Sequence, residues 1–388
     1  MKSLAILLEN AADEPSPDLD GRTPLAVARC PNANRLAAEG QAGALPGGRS
    51  KKRVSPERLL GALAGLDEEA ARLLSRGALE AWALDTDFSG YTHAFCANFV
   101  TLDSGELRDG LVSGITMQET ERLAAAVQTR FDPARVRLLP RAPGRLVVLA
   151  RMSGGDPDYG IPPWVPEASD SLAHGGRGSA LFREVMERSA EQLVRHPVNE
   201  IRVDLGANPA NAIWIWGGGP LARIAPSLLR VQFLTQSAMA AGFARAISAP
   251  AHALPEPWES AQPSPAVDTS EARAWLSACD RLIVYAEMPP EFHRAAAPEK
   301  VRLLERIDLL LIQPLLDALR RYKHRRCLLA TVDPSAGATG AECAPQPFVL
   351  WGTHVEPDAA THWDEETCQA GKLVGLSLSE VMKLLSGE

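Results

Sequence analysis

The five residues from Ala212 to Trp216 (AIWIW) are apolar at every position. In a strand, Ala212, Trp214 and Trp216 face one way and Ile213 and Ile215 the other. A strand apolar on both faces has to be covered on both, so the pattern predicts a central strand of a layered α/β sheet. Asn208 and Pro209 punctuate its start, and Gly217, Gly218 and Gly219 allow a turn or a close backbone approach after it. Shorter apolar runs predict further strands at residues 4–8, 145–151, 199–205, 281–286, 327–332 and 348–351. Residues 75–82 (SRGALEAW) and 94–102 (AFCANFVTL) are taken together as a β-rich segment.

Helical periodicity fills the intervals. Pro31 suits the first turn of a helix that ends before Gly40. Ser55-Pro56-Glu57 opens a second, with Leu59, Leu60, Leu63 and Leu66 as its apolar stripe. Others are expected at residues 117–130, 180–195, 236–247, 299–322, 364–369 and 378–385, whereas residues 153–178 and 253–269 are rich in Pro, Gly and Ser and predict surface connections. Strands alternating with helices indicate an α/β fold.

The chain has 388 residues, long enough for two domains. A net charge of −8 argues against a nucleic-acid surface, despite the basic run Arg49 to Arg53. The apolar run after Met1 is too short for a secretory signal, and no stretch approaches the ~20 apolar residues needed to cross a bilayer. Six scattered cysteines without a C-x-x-C pair read as reduced, buried thiols and suggest a cytoplasmic protein.

Several polar residues invite chemistry. Glu9, Asn10 and Asp13 follow the first strand, where open α/β sheets place their sites, though a polar capped loop explains them equally. Ser55 is either a helix cap or a nucleophile at a helix start that would favour phosphate. Arg145 and Arg151 are an even number of residues apart and share a sheet face, where two guanidiniums can chelate a phosphate and a carboxylate, or else lie solvated on an edge.

Longer motifs carry a resemblance: GRTPLAVARCPNANRLAAEGQAG near the start, RGALEA from Arg76, CANFVTLDSGELRD from Cys96 and ITMQETERL from Ile115. NPANAIWIWGGG, KVRLLERID from Lys300 and WDEETCQAGKL from Trp363 follow in order. Together they resemble the archaeal-type cofactor-independent phosphoglycerate mutases of the alkaline-phosphatase-like superfamily. The resemblance implies a doubly wound α/β core with an alkaline-phosphatase-like central sheet, interrupted by an inserted α+β cap domain. It sets the core at residues 1–85 and 179–388 and the cap at 86–178. It also implies two divalent metals (Mn, Zn or Mg) and transfer of a phosphoryl group between the 2- and 3-hydroxyls of glycerate through a phosphoserine.

Carried over by position, the metal ligands are Glu9, His293 and Asp333, an incomplete set. Pro289 and Pro334 stand where the family has an Asp and a His, and the last family His falls near Glu342 or Cys343. Ser55 meets the nucleophile position only across a one-residue gap; without the gap, Pro56 stands there. Arg76, Arg145 and Arg151 occupy arginine positions and imply binding of phosphoglycerate or another small phosphorylated anion. Two cations held by so few groups predict weak metal binding and little mutase activity. An active mutase with an altered metal site, and a related phosphotransferase with another substrate, remain alternatives to a non-catalytic anion-binding or regulatory protein.

Overall fold

The computed structural model describes residues 1–47, 53–152, 162–164, 168, 180–225, 228–255, 267–288, 295–337 and 344–387. In chain order the elements are β1 (Lys2–Glu9), α1 (Pro24–Val27), α2 (Pro31–Ala38), β2 (Gln41–Leu45), α3 (Pro56–Leu63), α4 (Glu68–Arg72), α5 (Arg76–Ala83), β3 (His93–Asp103), β4 (Glu106–Asp109) and α6 (Met117–Gln128). Then come β5 (Val136–Ala142), β6 (Arg145–Ala150), α7 (Ala180–Leu193), α8 (Pro197–Asp204), β7 (Ala212–Pro220), β8 (Val231–Thr235), α9 (Ala238–Ala246), β9 (Ala251–Ala253) and α10 (Thr269–Ala278). The chain closes with β10 (Arg281–Glu287), α11 (Ala297–Ile307), α12 (Gln313–Leu319), β11 (Arg325–Val332), β12 (Gln346–Gly352), α13 (Glu365–Gln369) and α14 (Leu378–Ser386).

Two compact units result. One comprises Met1–Arg72, Ile224–Ala336 and Glu342–Glu388, the other Leu73–Arg223 with Gly337–Ala341. The first is built on a seven-stranded sheet in the order β2-β12-β11-β1-β10-β8-β9. β12 runs antiparallel to both neighbours, and β11, β1, β10, β8 and β9 are mutually parallel. One face buries Leu4, Ile6, Leu8, Leu282 and Val284 against α2, α10, α11 and α12. The opposite face buries Ala5, Leu7, Ile283 and Tyr285, and α14 packs there on β11 while α9 packs on β8. Helices on both faces explain why these strands read as continuous apolar runs. The unit is a doubly wound α/β core, as the resemblance implies.

Residues 299–322, expected as one helix, divide into α11, a π-helical turn at Asp308–Ile312, and α12, with Pro314 in the first turn of the last piece.

The second unit is an antiparallel sheet in which β3 lies between β6 and β7, with β5 beyond β6 and β4 on the far end of β3. α6 and α7 cover one face through Leu123, Val127, Leu181 and Val185. The AIWIW stretch therefore forms β7 in this sheet, not a central strand of the core. Among the described residues β7 pairs only with β3, so it is an edge strand. α7 lies along it, and the Ile213 N–H donates to Ser189 Oγ at 2.8 Å. An edge closed by a helix buries both strand faces as thoroughly as a central position does.

The segment 199–205 is helix α8, not a strand. His196 caps it and Pro197 occupies its first position, a start signal that outweighs the β-branched residues inside. Residues 76–83 are likewise helix α5, capped by Ser75. α5 and β7 pack on β3 and α7 packs on β7, so the second unit runs from Leu73 to Arg223, wider than the 86–178 expected for the cap.

The three glycines of β7 have a packing reason. A Cβ on Gly218 would lie 2.1 Å from Phe95 Cδ1, and one on Gly219 would lie 2.3 Å from Ser75 Oγ. Gly217 has φ +57°, a conformation that favours glycine. No helix among the described residues is long and apolar enough to cross a membrane.

Candidate functional site

β1, β10 and β11 are adjacent and parallel, so their carboxyl ends lie side by side. Glu9 is in register with Glu287 on one side and Val332 on the other, and Asp333 follows directly. Three carboxylates thus mark the carboxyl edge of the sheet, where open α/β folds bind ligands. The Asn10 N–H donates to the Val332 carbonyl at 2.8 Å, which keeps β1 and β11 together to their ends.

The Glu9 and Asp333 carboxylates have work in the fold, and Glu287 is tied in through its main chain. Glu9 is 2% exposed and accepts a hydrogen bond from the Tyr285 hydroxyl. Leu7, in register with Tyr285, and Glu9 share a face with it, so the phenol reaches Glu9 along the strand direction. Asp333 Oδ1 accepts from the Ser335 N–H at 2.7 Å and from Ser335 Oγ at 2.6 Å, which caps the short turn at Pro334–Gly337. The Glu287 carbonyl accepts from Gln236 Nε2 at 2.9 Å, tying β10 to the end of β8.

Further charged groups lie in the loops of the same unit. Lys300, at the start of α11, pairs with Asp13. Buried Glu365 accepts from Thr23 Oγ1 at 2.6 Å and from the Asp13 N–H at 3.1 Å. Burial pushes the Glu365 carboxyl above its ordinary value, partly opposed by these two hydrogen bonds. Asp13, Thr23 and Glu365 line a cavity of about 530 Å³.

Ser55 is buried and acts as the N-cap of α3, its Oγ accepting from the Arg58 N–H at 3.4 Å. Pro56 holds the first helical position. The residues 48–52, 289–294 and 338–343 lie outside the described residues; His293, Pro289, Glu342, Cys343 and most of the basic run from Arg49 are among them. Among the described residues, no group of three or more His, Cys, Asp or Glu is arranged to hold a metal ion.

The three arginines belong to the second unit. Arg76 is 4% exposed at the start of α5. Its Nε lies 3.3 Å from Glu80 Oε1, and its guanidinium lies over the Trp216 ring, 5.7 Å from the centroid. Arg141 Nε lies 3.2 Å from the other Glu80 oxygen. Beside them the buried Cys96 thiol is pushed well above its ordinary value, first by desolvation and then by Glu80. Arg145 starts β6 and Arg151 follows its last residue, with Nε donating to the Gly90 carbonyl at 2.8 Å. Six residues of strand at ~3.3 Å each separate them by about 20 Å. One small anion therefore cannot bridge Arg145 and Arg151, although parity puts them on one face.

From the sequence, Glu287 and Glu291 are carboxylates that could rebuild a site toward Asp333; Tyr285, counted as part of the apolar run 281–286, is the residue that sequence reasoning missed. The parallel register beside Glu9 gives Glu287 and Tyr285 their meaning.

Comparison with known proteins adds identity to this geometry. The family model of 2,3-bisphosphoglycerate-independent phosphoglycerate mutase matches residues 71–199. A protein of that name from Methanothrix thermoacetophila is 28% identical over 415 residues, covering 99% of both chains. One from Methanothermobacter thermautotrophicus is also 28% identical, over 99% of this chain and 97% of its own. Among solved structures, a Pyrococcus horikoshii protein superposes with a TM-score of 0.64 at 22% identity, covering 100% of this chain and 97% of its own. The cofactor-independent phosphoglycerate mutase from Thermoplasma acidophilum gives 0.52 at 22% identity, covering 100% and 99%. At such identities the structures speak for the fold, and the sequence relatives for descent. The chain is thus similar along almost its whole length to archaeal 2,3-bisphosphoglycerate-independent phosphoglycerate mutases, and it shares the fold of the solved structures.

Proposed function

We propose that this chain is a phosphoglycerate-mutase-family protein in which two-metal phosphoryl transfer between 2- and 3-phosphoglycerate is reduced or lost, while affinity for a small phosphorylated anion is kept. The observation that carries this reading is the condition of the strand-end carboxylates. Glu9 is buried under the Tyr285 hydroxyl, and Asp333 is spent on Ser335 and followed by Pro334. Proline supplies no side-chain donor, and a Glu in place of an Asp sets its oxygens one methylene further out. Manganese, zinc or magnesium would need further donors to form the clamp that stabilises attacking and leaving oxygens. Ser55 engaged as a helix cap supports the same reading, because a nucleophile needs its Oγ directed at substrate.

Anion binding rests on the arginines. The terminal nitrogens of Arg151 make no hydrogen bond among the described residues, and the side chain is exposed. Arg145 and Arg76 are further candidates. The five described cysteines are free and buried, which supports placing the protein in the reducing cytoplasm.

One observation favours a second reading. Glu287 lies directly beside Glu9 in the sheet, so a carboxylate pair exists from which an altered metal site, and an active mutase or related phosphotransferase, could be built.

The test is metal analysis and turnover on the purified full chain. After loading with manganese or zinc and dialysis, the protein should retain well under two metals per chain, and 3-phosphoglycerate should not be converted above background. Retention of two metals with turnover that disappears in Ser55→Ala would overturn the proposal. Phosphate should raise the melting temperature, and Arg151→Ala should remove the shift; an unchanged melting temperature would sink the anion-binding half.

A further inference from the structure

Two buried arginines lie at the amino end of the central strands, far from the carboxylates. Arg281 opens β10, and Arg326 is the second residue of β11; both are in register with Ser3 of β1, one on each side. Arg281 is 3% exposed and Arg326 8%. Arg281 donates from Nε to Ser3 Oγ at 3.0 Å, from Nη1 to the Leu63 carbonyl at 2.7 Å and from Nη2 to Ser386 Oγ at 3.1 Å. Arg326 Nη1 donates to the Leu384 carbonyl, and its buried Nε has no hydrogen-bond partner. All these acceptors are neutral, and among the described residues neither arginine has a carboxylate partner.

Buried charges are normally paired. The compensation here comes from helix ends. Leu63 ends α3, while Leu384 and Ser386 end α14, and each carboxyl terminus contributes about half a negative charge. Two half charges against two guanidiniums leave about one positive charge over. Burial lowers both arginines, Arg281 to about 10, and no acidic neighbour opposes it.

Arg281 and Ser386 also line a groove of about 1380 Å³. Leu45, Ala62, Leu66, Leu378 and Met382 give it apolar walls. Of the three other cations on its lining, Arg58 and Arg72 are already paired with Glu68, at 3.5 and 2.6 Å, and Lys383 is exposed rather than buried. Among the described residues Arg281 is thus the buried cation on the groove lining without a carboxylate partner. Glu287 ends the strand that Arg281 begins, about 20 Å away at ~3.3 Å per residue.

We propose that this groove is a second ligand site, taking a small molecule with one anionic head at Arg281 and Ser386 and an apolar body along Leu45, Ala62, Leu66 and Met382. The apolar walls supply affinity and the unpaired guanidinium selects the charged head. Titration calorimetry of the full chain tests it, with decanoate as probe and decyl alcohol and inorganic phosphate as controls. Decanoate should bind one to one, at least about tenfold more tightly than either control, since a charge-assisted hydrogen bond is worth at least that factor.

Arg281→Gln should erase the preference for the acid over the alcohol. Ala62→Trp fills the groove, leaves Arg281 in place and should abolish binding of both. It decides the matter if Arg281→Gln fails to fold. No saturable decanoate binding, equal affinity for acid and alcohol, phosphate binding as tight as decanoate that persists in Arg151→Ala, or undiminished binding in Ala62→Trp would each overturn the proposal.

Discussion

The Gly218→Ala substitution tests why β7 ends in three glycines. The added methyl would sit 2.1 Å from Phe95 Cδ1 and 2.4 Å from Cε1. Carbon atoms pack at roughly 3.5–4.0 Å, so the ring would have to retreat by about 1.5 Å. Phe95 is 1% exposed and embedded with Ala97, Val148 and Ile215, so it has no open side to retreat to. Overpacking of this kind costs about 1–3 kcal/mol, and the entropy gained by replacing glycine returns about 0.4–1 kcal/mol. The expected net loss is about 1.3 kcal/mol. Gly217→Ala is the control. Its methyl would meet Arg76 Cβ at an ordinary 3.5 Å, so it pays only for the left-handed backbone, about 1 kcal/mol. Urea unfolding followed by tryptophan fluorescence reads both, because Trp214 and Trp216 lie on the same strand. Phe95→Leu should relieve part of the clash, making the double variant less unstable than the sum of the singles. A loss under about 0.5 kcal/mol for Gly218→Ala, or full additivity with Phe95→Leu, would refute the packing explanation.

Two further outcomes are expected. Glu365 has a folded-state value raised above its ordinary 4.5, chiefly by burial; its contribution is therefore full below the unfolded value and is lost as pH rises through the folded one. Glu365→Gln cannot ionise, so its urea midpoint relative to the parent should increase from about pH 4.5 to neutrality, and a relative midpoint that falls would contradict the assignment. Asp308 takes the place of a side-chain cap on α2, accepting from the Asn32 N–H at 3.1 Å, Asn32 Nδ2 at 2.8 Å and the Ala33 N–H at 2.8 Å. Asp308→Ala should cost about 2–3 kcal/mol in chemical denaturation, and a loss below about 0.5 kcal/mol would show that the helix start is held otherwise.

The core was legible because its physics is repetitive. β1, β10 and β11 are buried on both faces, and their uninterrupted apolar runs say so. α3 was legible from Ser55-Pro56 and its leucine stripe, and α2 from Pro31. The same reasoning misplaced β7, since burial on both faces has two causes. A strand between strands is covered by layers above and below; β7 instead has α7 along its edge, where Ser189 takes up an N–H that a neighbouring strand would otherwise have bonded. The residue that distinguishes the two cases sits in another element, 24 positions away in sequence. In α8, β-branched Ile201 and Val203 suggested a strand, and His196-Pro197 settled the helix.

The site was less legible because it is made where the alternation rule stops. Apolar periodicity locates the middle of a strand and treats the polar residues at its end as punctuation. Glu9, Glu287 and Asp333 are all such residues, and only the parallel register brings them together. The arginines show the complementary error. Parity correctly put Arg145 and Arg151 on one face, but a face is as long as its strand, and six residues already exceed the span of a phosphoglycerate. Counting rise as well as parity would have separated them from sequence alone. The same count separates Arg281 from Glu287 on β10. One strand thus carries a buried cation at its start and an acid at its end, and a ligand that answers to one has no physical reason to answer to the other.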